Sequence, residues 1–174
     1  MTRLLTPFQA TFLDYPDPES YAVSICFMGC DNGCPHCQNP EFQNPLYDNL
    51  TKDYDVQGLI EELKIFCKRN RTNKVVLSGG DPLSCYNIDF TKELLKLSSE
   101  IFDYCIFTGH DKKYCENNGV KGFKFLKCGY FDYKNKRESL KTDDYIQYAS
   151  PNQELYDEKY CLLTKNGVYY FNEN

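Results

Sequence analysis

An apolar, strand-like run, Tyr21-Ala-Val-Ser-Ile-Cys-Phe27, leads straight into a loop that puts Cys26, Cys30, Cys34 and Cys37 within twelve residues. Whatever this chain folds into must therefore hang a thiol-rich loop from the end of a buried strand. The other six cysteines, Cys67, Cys85, Cys105, Cys115, Cys128 and Cys161, are isolated. Ten cysteines in 174 residues are too dilute for a disulfide scaffold, and a core of this size needs no covalent staples. In a reducing compartment such thiols are buried, metal-bound or catalytic. His36 and His110 are the only histidines, which excludes a three-His or His-Glu-x-x-His metal site.

The rest of the pattern alternates. Leu59, Ile60, Leu63, Phe66 and Cys67 recur at helical spacing behind a cap at Asp55, predicting a helix from Val56 to about Arg69. Lys74-Val-Val-Leu77 reads as a short strand that stops at Ser78-Gly-Gly-Asp-Pro82. Phe90, Leu94, Leu97 and Ile101 mark a second helix, and Tyr104-Cys-Ile-Phe107 a third strand ending at Thr108-Gly109. A short helix across Asp111 to Asn117 then leads to a fourth strand around Phe123 to Leu126. Strands alternating with helices imply βαβ units, an α/β fold and a mostly parallel sheet, with ligands beyond the carboxyl ends of the strands. All three unusual loops fall there. The stretch from Tyr130 to Asp157 is polar and irregular, whereas Tyr160–Thr164 and Val168–Phe171 flank Asn166-Gly167 and predict a C-terminal β-hairpin. No repeat or linker interrupts residues 1–174, which read as a single domain.

Composition excludes several classes. With 41% hydrophobic residues the chain can bury a core, and no stretch approaches the roughly 18 apolar residues of a membrane helix. The N-terminus has no long apolar core of the signal-peptide kind, so the expected location is soluble and cytoplasmic. A net charge of −5, with Lys and Arg scattered, gives no field for gripping nucleic acid.

The loop itself reads Met28-Gly-Cys-Asp-Asn-Gly-Cys-Pro-His-Cys-Gln-Asn39, with cysteines spaced x3 and then x2. Three thiolates from one short loop can hold three irons of a cubic four-iron cluster and leave the fourth iron open to a chelating ligand. The competing reading is a closed zinc site, with Cys26 or His36 as fourth ligand. Against it, zinc sites usually pair two distant knuckles, and the chain has no second Cys-x-x-Cys. Cys26, inside the apolar strand, reads as core packing.

A Cys-x3-Cys-x2-Cys loop just after the first core strand resembles the signature of the radical S-adenosylmethionine superfamily. The resemblance implies that Cys30, Cys34 and Cys37 hold a [4Fe–4S] cluster whose open iron is chelated by S-adenosylmethionine. Gly79-Gly80-Asp81-Pro82, at the end of the second strand, is similar to the family's Gly-Gly-acid motif for the methionine ammonium. Two glycines would admit a ligand close to the backbone, and a carboxylate would pair with a cation. His36 and Gln38, flanking the last cysteine, are expected to complete that cofactor site with Gly79, Gly80 and Asp81.

Ser78–Leu83, Phe107-Thr-Gly-His110 and Ala149-Ser-Pro-Asn-Gln153 further resemble the activating proteins of anaerobic ribonucleotide reductase, as does Phe125–Phe131 before the last of them. Tyr15-Pro-Asp-Pro18, His36 and His110 depart from that pattern. The resemblance implies an incomplete (β/α) barrel and a 5′-deoxyadenosyl radical that abstracts hydrogen from a glycine of the reductase's large subunit. An external one-electron reductant is also implied. Two alternatives stay open at this point. One is a radical enzyme acting on another glycyl-radical protein or on a small molecule, in the manner of a deazaguanine-forming ring contraction. The other is a zinc-stabilised interaction module.

Overall fold

The computed structural model describes residues 1–19 and 21–171. In chain order its strands are β1 (Thr2–Leu5), β2 (Gln9–Thr11), β3 (Ala22–Phe27), β4 (Thr51–Tyr54), β5 (Lys74–Gly79), β6 (Asp103–Phe107) and β7 (Phe125–Cys128), then β8 (Leu140–Lys141), β9 (Tyr145–Gln147), β10 (Glu154–Asp157) and β11 (Val168–Tyr170). The helices α1 (Val56–Asn70), α2 (Ile88–Ser98) and α3 (Lys112–Asn117) lie between the parallel strands.

The two longer helices form where the apolar period requires. In α1, Val56, Leu59, Ile60, Leu63 and Cys67 are buried, and the Asp55 carboxylate caps the first turn by accepting from the Gly58 N–H at 2.7 Å. α2 buries Phe90, Thr91, Leu94, Leu95 and Ser98. Leu97 and Ile101, expected on its inner face, are exposed instead. The helix stops at Ser98, whose hydroxyl bonds the Leu94 carbonyl at 2.6 Å and the Tyr104 hydroxyl at 2.8 Å, so the buried face turns one position earlier.

Strands β3, β5, β6 and β7 pair in parallel, as the alternation predicts. Antiparallel strands extend both sides, giving the order β10-β7-β6-β5-β3-β1-β4, with β2 alongside β3. This order describes an open sheet ending at β10 and β4. The architecture that holds is a mostly parallel α/β sheet, and the strand order closes no barrel.

Alternation along the parallel strands sends residues to two unlike faces. Val23, Ile25, Phe27, Val75, Leu77, Tyr104, Ile106 and Leu126 pack with Leu59, Leu63, Leu94 and Leu95 of the helices in the main core. The opposite face carries a smaller cluster of Tyr15, Ala22, Val76 and Cys105. It is covered in part by a separate antiparallel sheet, β11-β9-β8, where Ile146 and the following Tyr148 cluster with Leu155 of β10 against Phe107 and Phe125. Where that cover ends, the inner face is left to form a cavity.

The expected C-terminal hairpin needs correction. Its turn is present: Asn166 and Gly167 have φ of 50° and 67°, and Lys165 bridges Val168. The two flanking stretches do not pair as strands, however. β11 pairs with β9, and residues 160–164 make only the bridge Tyr156↔Leu162. A two-stranded hairpin in water is marginal, whereas pairing with β9 lets Tyr169 and Phe171 pack on the Ile146 cluster.

Candidate functional site

The cysteine loop leaves β3 at Met28 and is fixed by its own backbone before any side chain acts. The Gly29 N–H donates to the Phe42 carbonyl (2.8 Å) and the Cys30 N–H to the Gln43 carbonyl (3.1 Å), closing the loop onto the short 3₁₀ turn Pro40–Gln43. Asn87, buried at the start of α2, donates through Nδ2 to the carbonyls of Met28 (2.9 Å), Gly29 (3.2 Å) and Asp81 (2.9 Å). Its Oδ1 accepts from the Thr2 hydroxyl at 2.6 Å. A single buried amide therefore ties the N-terminal strand, the cysteine loop and the glycine loop together.

The glycine loop follows β5. Gly79 has φ +99°, and a Cβ there would stand 2.5 Å from the Phe27 nitrogen. A Cβ on Gly80 would stand 2.5 Å from the Phe42 carbonyl oxygen and 2.7 Å from that of Gly29. These glycines are required by the approach of the protein's own backbone, which seats the cysteine loop directly on the end of β5. Both residues also line the cavity.

Asp81 is almost fully buried. Its Oδ2 accepts from Asn32 Nδ2 (2.6 Å), the Thr108 hydroxyl (2.9 Å) and the Gly109 N–H (2.8 Å), and its Oδ1 from the Leu83 N–H (2.8 Å). Burial pushes its carboxyl up, and the Gly109 and Leu83 amides and the Thr108 hydroxyl pull it back. Asp81 does not line the cavity. It joins the cysteine loop, the end of β5 and the end of β6 from behind the cavity wall.

The cavity has a volume of about 330 Å³. Cys30, Cys34, Cys37 and Gln38 line one side, with Gly79, Gly80, Thr108 and Gly109 beside them. Parallel register sets Cys26 against Ser78 and Phe107 against Lys127, with Leu77 opposite Ile106 between them. One residue from each of the four parallel strands therefore stands in a row across the cavity wall: Cys26, Ser78, Phe107 and Lys127. Cys26 is half-buried in this row with its Sγ 3.8 Å from Ser78 Oγ, which corrects the expectation of simple core packing. Burial pushes the Cys26 and Cys30 thiols up, while Asn32 Nδ2, 3.4 Å from Cys30 Sγ, opposes the shift at Cys30.

Of the two flanking residues, Gln38 reaches the cavity and His36 does not: His36 is exposed, with its ring 3.9 Å from that of Tyr133. His110 stands behind the wall, stacked on Tyr114 at 3.8 Å with Nε2 3.3 Å from Asp31 Oδ1. Asn32, Asn87, Lys127 and Tyr148 were not legible as site residues. Lys127 alone left a signal, a charge inside the apolar run Phe125-Leu-Lys-Cys128.

A zinc ion gathers four ligands within about 2.3 Å of one point. Among the described residues no three Cys, His, Asp or Glu side chains converge in that way. Cys30, Cys34 and Cys37 all line the cavity, where a cubic cluster would offer each thiolate a different iron.

Comparison with curated proteins and with solved structures gives no significant match. Among the described residues no helix is long and apolar enough to cross a membrane. The profile of the radical SAM superfamily matches residues 24–170, from β3 through the cysteine loop, the Gly79-Gly80-Asp81 loop and the ends of β6 and β7 to β11. The chain belongs to this superfamily of radical enzymes, whose members use a [4Fe–4S] cluster and S-adenosylmethionine.

Proposed function

We propose that this protein is an activase that generates a glycyl radical on the large subunit of an anaerobic ribonucleotide reductase. One observation carries the reading. The stretches Ser78–Leu83, Phe107–His110 and Ala149–Gln153 lie far apart in the chain, yet Ser78, Gly79, Gly80, Phe107, Thr108, Gly109, Ala149 and Gln153 all line the cavity that holds the three cysteines. These are the stretches in which the sequence resembles such activases.

In this reading Cys30, Cys34 and Cys37 hold the cluster, and Gln38 with the Gly79-Gly80 backbone borders the cofactor. Asp81 keeps the three loops in register from behind. When bound and given an electron by an external one-electron donor, the cluster and S-adenosylmethionine would supply a carbon radical. The chain's own contribution is to orient the cofactor and to exclude water with Phe107, Phe131 and Tyr148. A second reading, a radical enzyme acting on a small anionic molecule, is favoured by the buried ammonium of Lys127 in the same wall.

Anaerobic mixing of the reduced protein, S-adenosylmethionine and the reductase subunit tests the first reading by electron paramagnetic resonance. The expected result is a doublet that disappears when the partner's glycine is mutated. Cofactor cleavage with no protein radical would overturn it in favour of the second reading.

A further inference from the structure

Lys127 is 9% exposed, and the exposure it keeps is toward the cavity. Its ammonium forms no ion pair and no hydrogen bond among the described residues. Two aromatic rings flank it, Phe107 at 5.4 Å and Tyr148 at 5.9 Å, and Cys128, Asp81, Cys34 and Cys105 act on it electrostatically without forming an ion pair. Asp14, in the same cavity, accepts from the Thr11 hydroxyl at 2.7 Å and is not paired with Lys127. Tyr148 belongs to the same wall, and its hydroxyl is buried with no hydrogen-bond partner among the described residues. An ammonium with no protein partner and a buried phenol with none stand on one cavity wall, and keeping both there carries a cost that folding alone does not recover. Groups left so are matched by what the cavity binds.

We propose that Lys127 and the Tyr148 hydroxyl form an oxyanion subsite, which takes a carboxylate or phosphate of the molecule that the cavity admits. The ammonium supplies charge and the phenol a directed donor, the pairing that a partly desolvated oxyanion requires. The aromatic faces beside the ammonium hold its position without accepting its hydrogen bonds, which leaves them for a ligand. Burial lowers Lys127 to about 8, and an arriving oxyanion would restore its charge. The inference rests on the reading that this cavity is the reaction site, and it adds that whatever reacts there brings an acidic group.

The test is thermal unfolding of the anaerobically reconstituted protein with inorganic phosphate or acetate, against chloride at equal ionic strength. The wild type should gain stability with phosphate or acetate beyond chloride, by binding linkage. Lys127→Met should lose that gain, with affinity down at least tenfold, while Lys127→Arg keeps most of it and Tyr148→Phe reduces it. Lys127→Met should fold at least as stably as the wild type without added anion. A loss of stability there would mark the ammonium as structural and overturn the proposal, as would an identical anion response in Lys127→Met and wild type.

Calorimetry with S-adenosylmethionine and its decarboxylated analogue then identifies the source of the oxyanion. Weaker binding of the intact cofactor alone to Lys127→Met names the cofactor's carboxylate. Unchanged binding of both, with the phosphate or acetate response lost, names a separate acidic substrate. Both results support the subsite. Absence of a glycyl radical on the reductase with the anion response intact would sink the activase reading and leave the subsite standing.

Discussion

Three donors on one oxygen and a fourth on the other leave the Asp81 carboxylate fully engaged within the protein. The motif announced this residue in the sequence but not its role, because a string of letters does not show that Asn32, Thr108 and Gly109 converge on it. Asp81→Asn keeps the shape but turns an amide N–H toward those donors. It should cost about 1.5–3 kcal/mol or more in urea unfolding and weaken cofactor binding alongside. Unchanged stability with only the affinity lost would mean that Asp81 touches the cofactor directly. Cys30, Cys34 and Cys37 were legible because their spacing is itself the chemistry.

Lys127 yields a pH prediction. Unfolded, its amine titrates near 10.5, and in the fold burial brings it to about 8. Below about 8 both states are charged and the cost of burial is fully present. Above about 10.5 both are neutral and the cost is gone. Without added anion, the stability of the wild type relative to Lys127→Met should therefore rise between pH 8 and 10.5, by on the order of 3 kcal/mol. Taking the difference removes titrations independent of Lys127, while Cys128, Cys34 and Cys105 interact with it and contribute to the difference. A flat difference across that window would mean that the ammonium is already compensated.

At the scale of elements, legibility followed period and length. Helices α1 and α2 and the strands between them repeat their apolar residues at 3.6 or lie in short β-branched runs. Strands β1, β4, β8, β9 and β10 have at most four residues, and their partners lie far away: Thr2 pairs with Tyr54, and Glu154 with Cys128. Nothing local marks such strands, since long-range pairing and not propensity makes them. Leu63→Ala, in the fully buried face of α1, should cost about 2–5 kcal/mol without disturbing the cysteine loop. Gly80→Ala should do the reverse. Its Cβ would meet the backbone oxygens of Gly29 in the cysteine loop and of Phe42 in the turn onto which that loop closes, so the loop must shift and cluster incorporation should fall sharply while the helical circular dichroism stays. Normal iron content in Gly80→Ala would show that the loop is not seated as described.

The whole molecule is an asymmetric sheet. Helices bury one face, and the other is only partly covered by the β11-β9-β8 sheet, leaving Cys26, Ser78, Phe107 and Lys127 to border a cavity at whose mouth the thiol loop hangs. The alternation of strands and helices predicts the parallel core and places the loops at one end. Strands β8 and β9 of the small sheet, and with them the depth of the cavity, were hidden in the irregular stretch after Tyr130, whereas Val168–Tyr170 was legible as a strand but not its partner β9. The account's central claim is that this cavity is a radical S-adenosylmethionine site built on Cys30, Cys34 and Cys37. Its most direct test is anaerobic reconstitution with iron and sulfide, followed by reduction with S-adenosylmethionine and measurement of 5′-deoxyadenosine. The account predicts about four irons per chain, with 5′-deoxyadenosine formed by the wild type and both lost on replacing any one of the three cysteines with Ala. Stoichiometric zinc with no iron, or a cluster that survives Cys34→Ala, would contradict it.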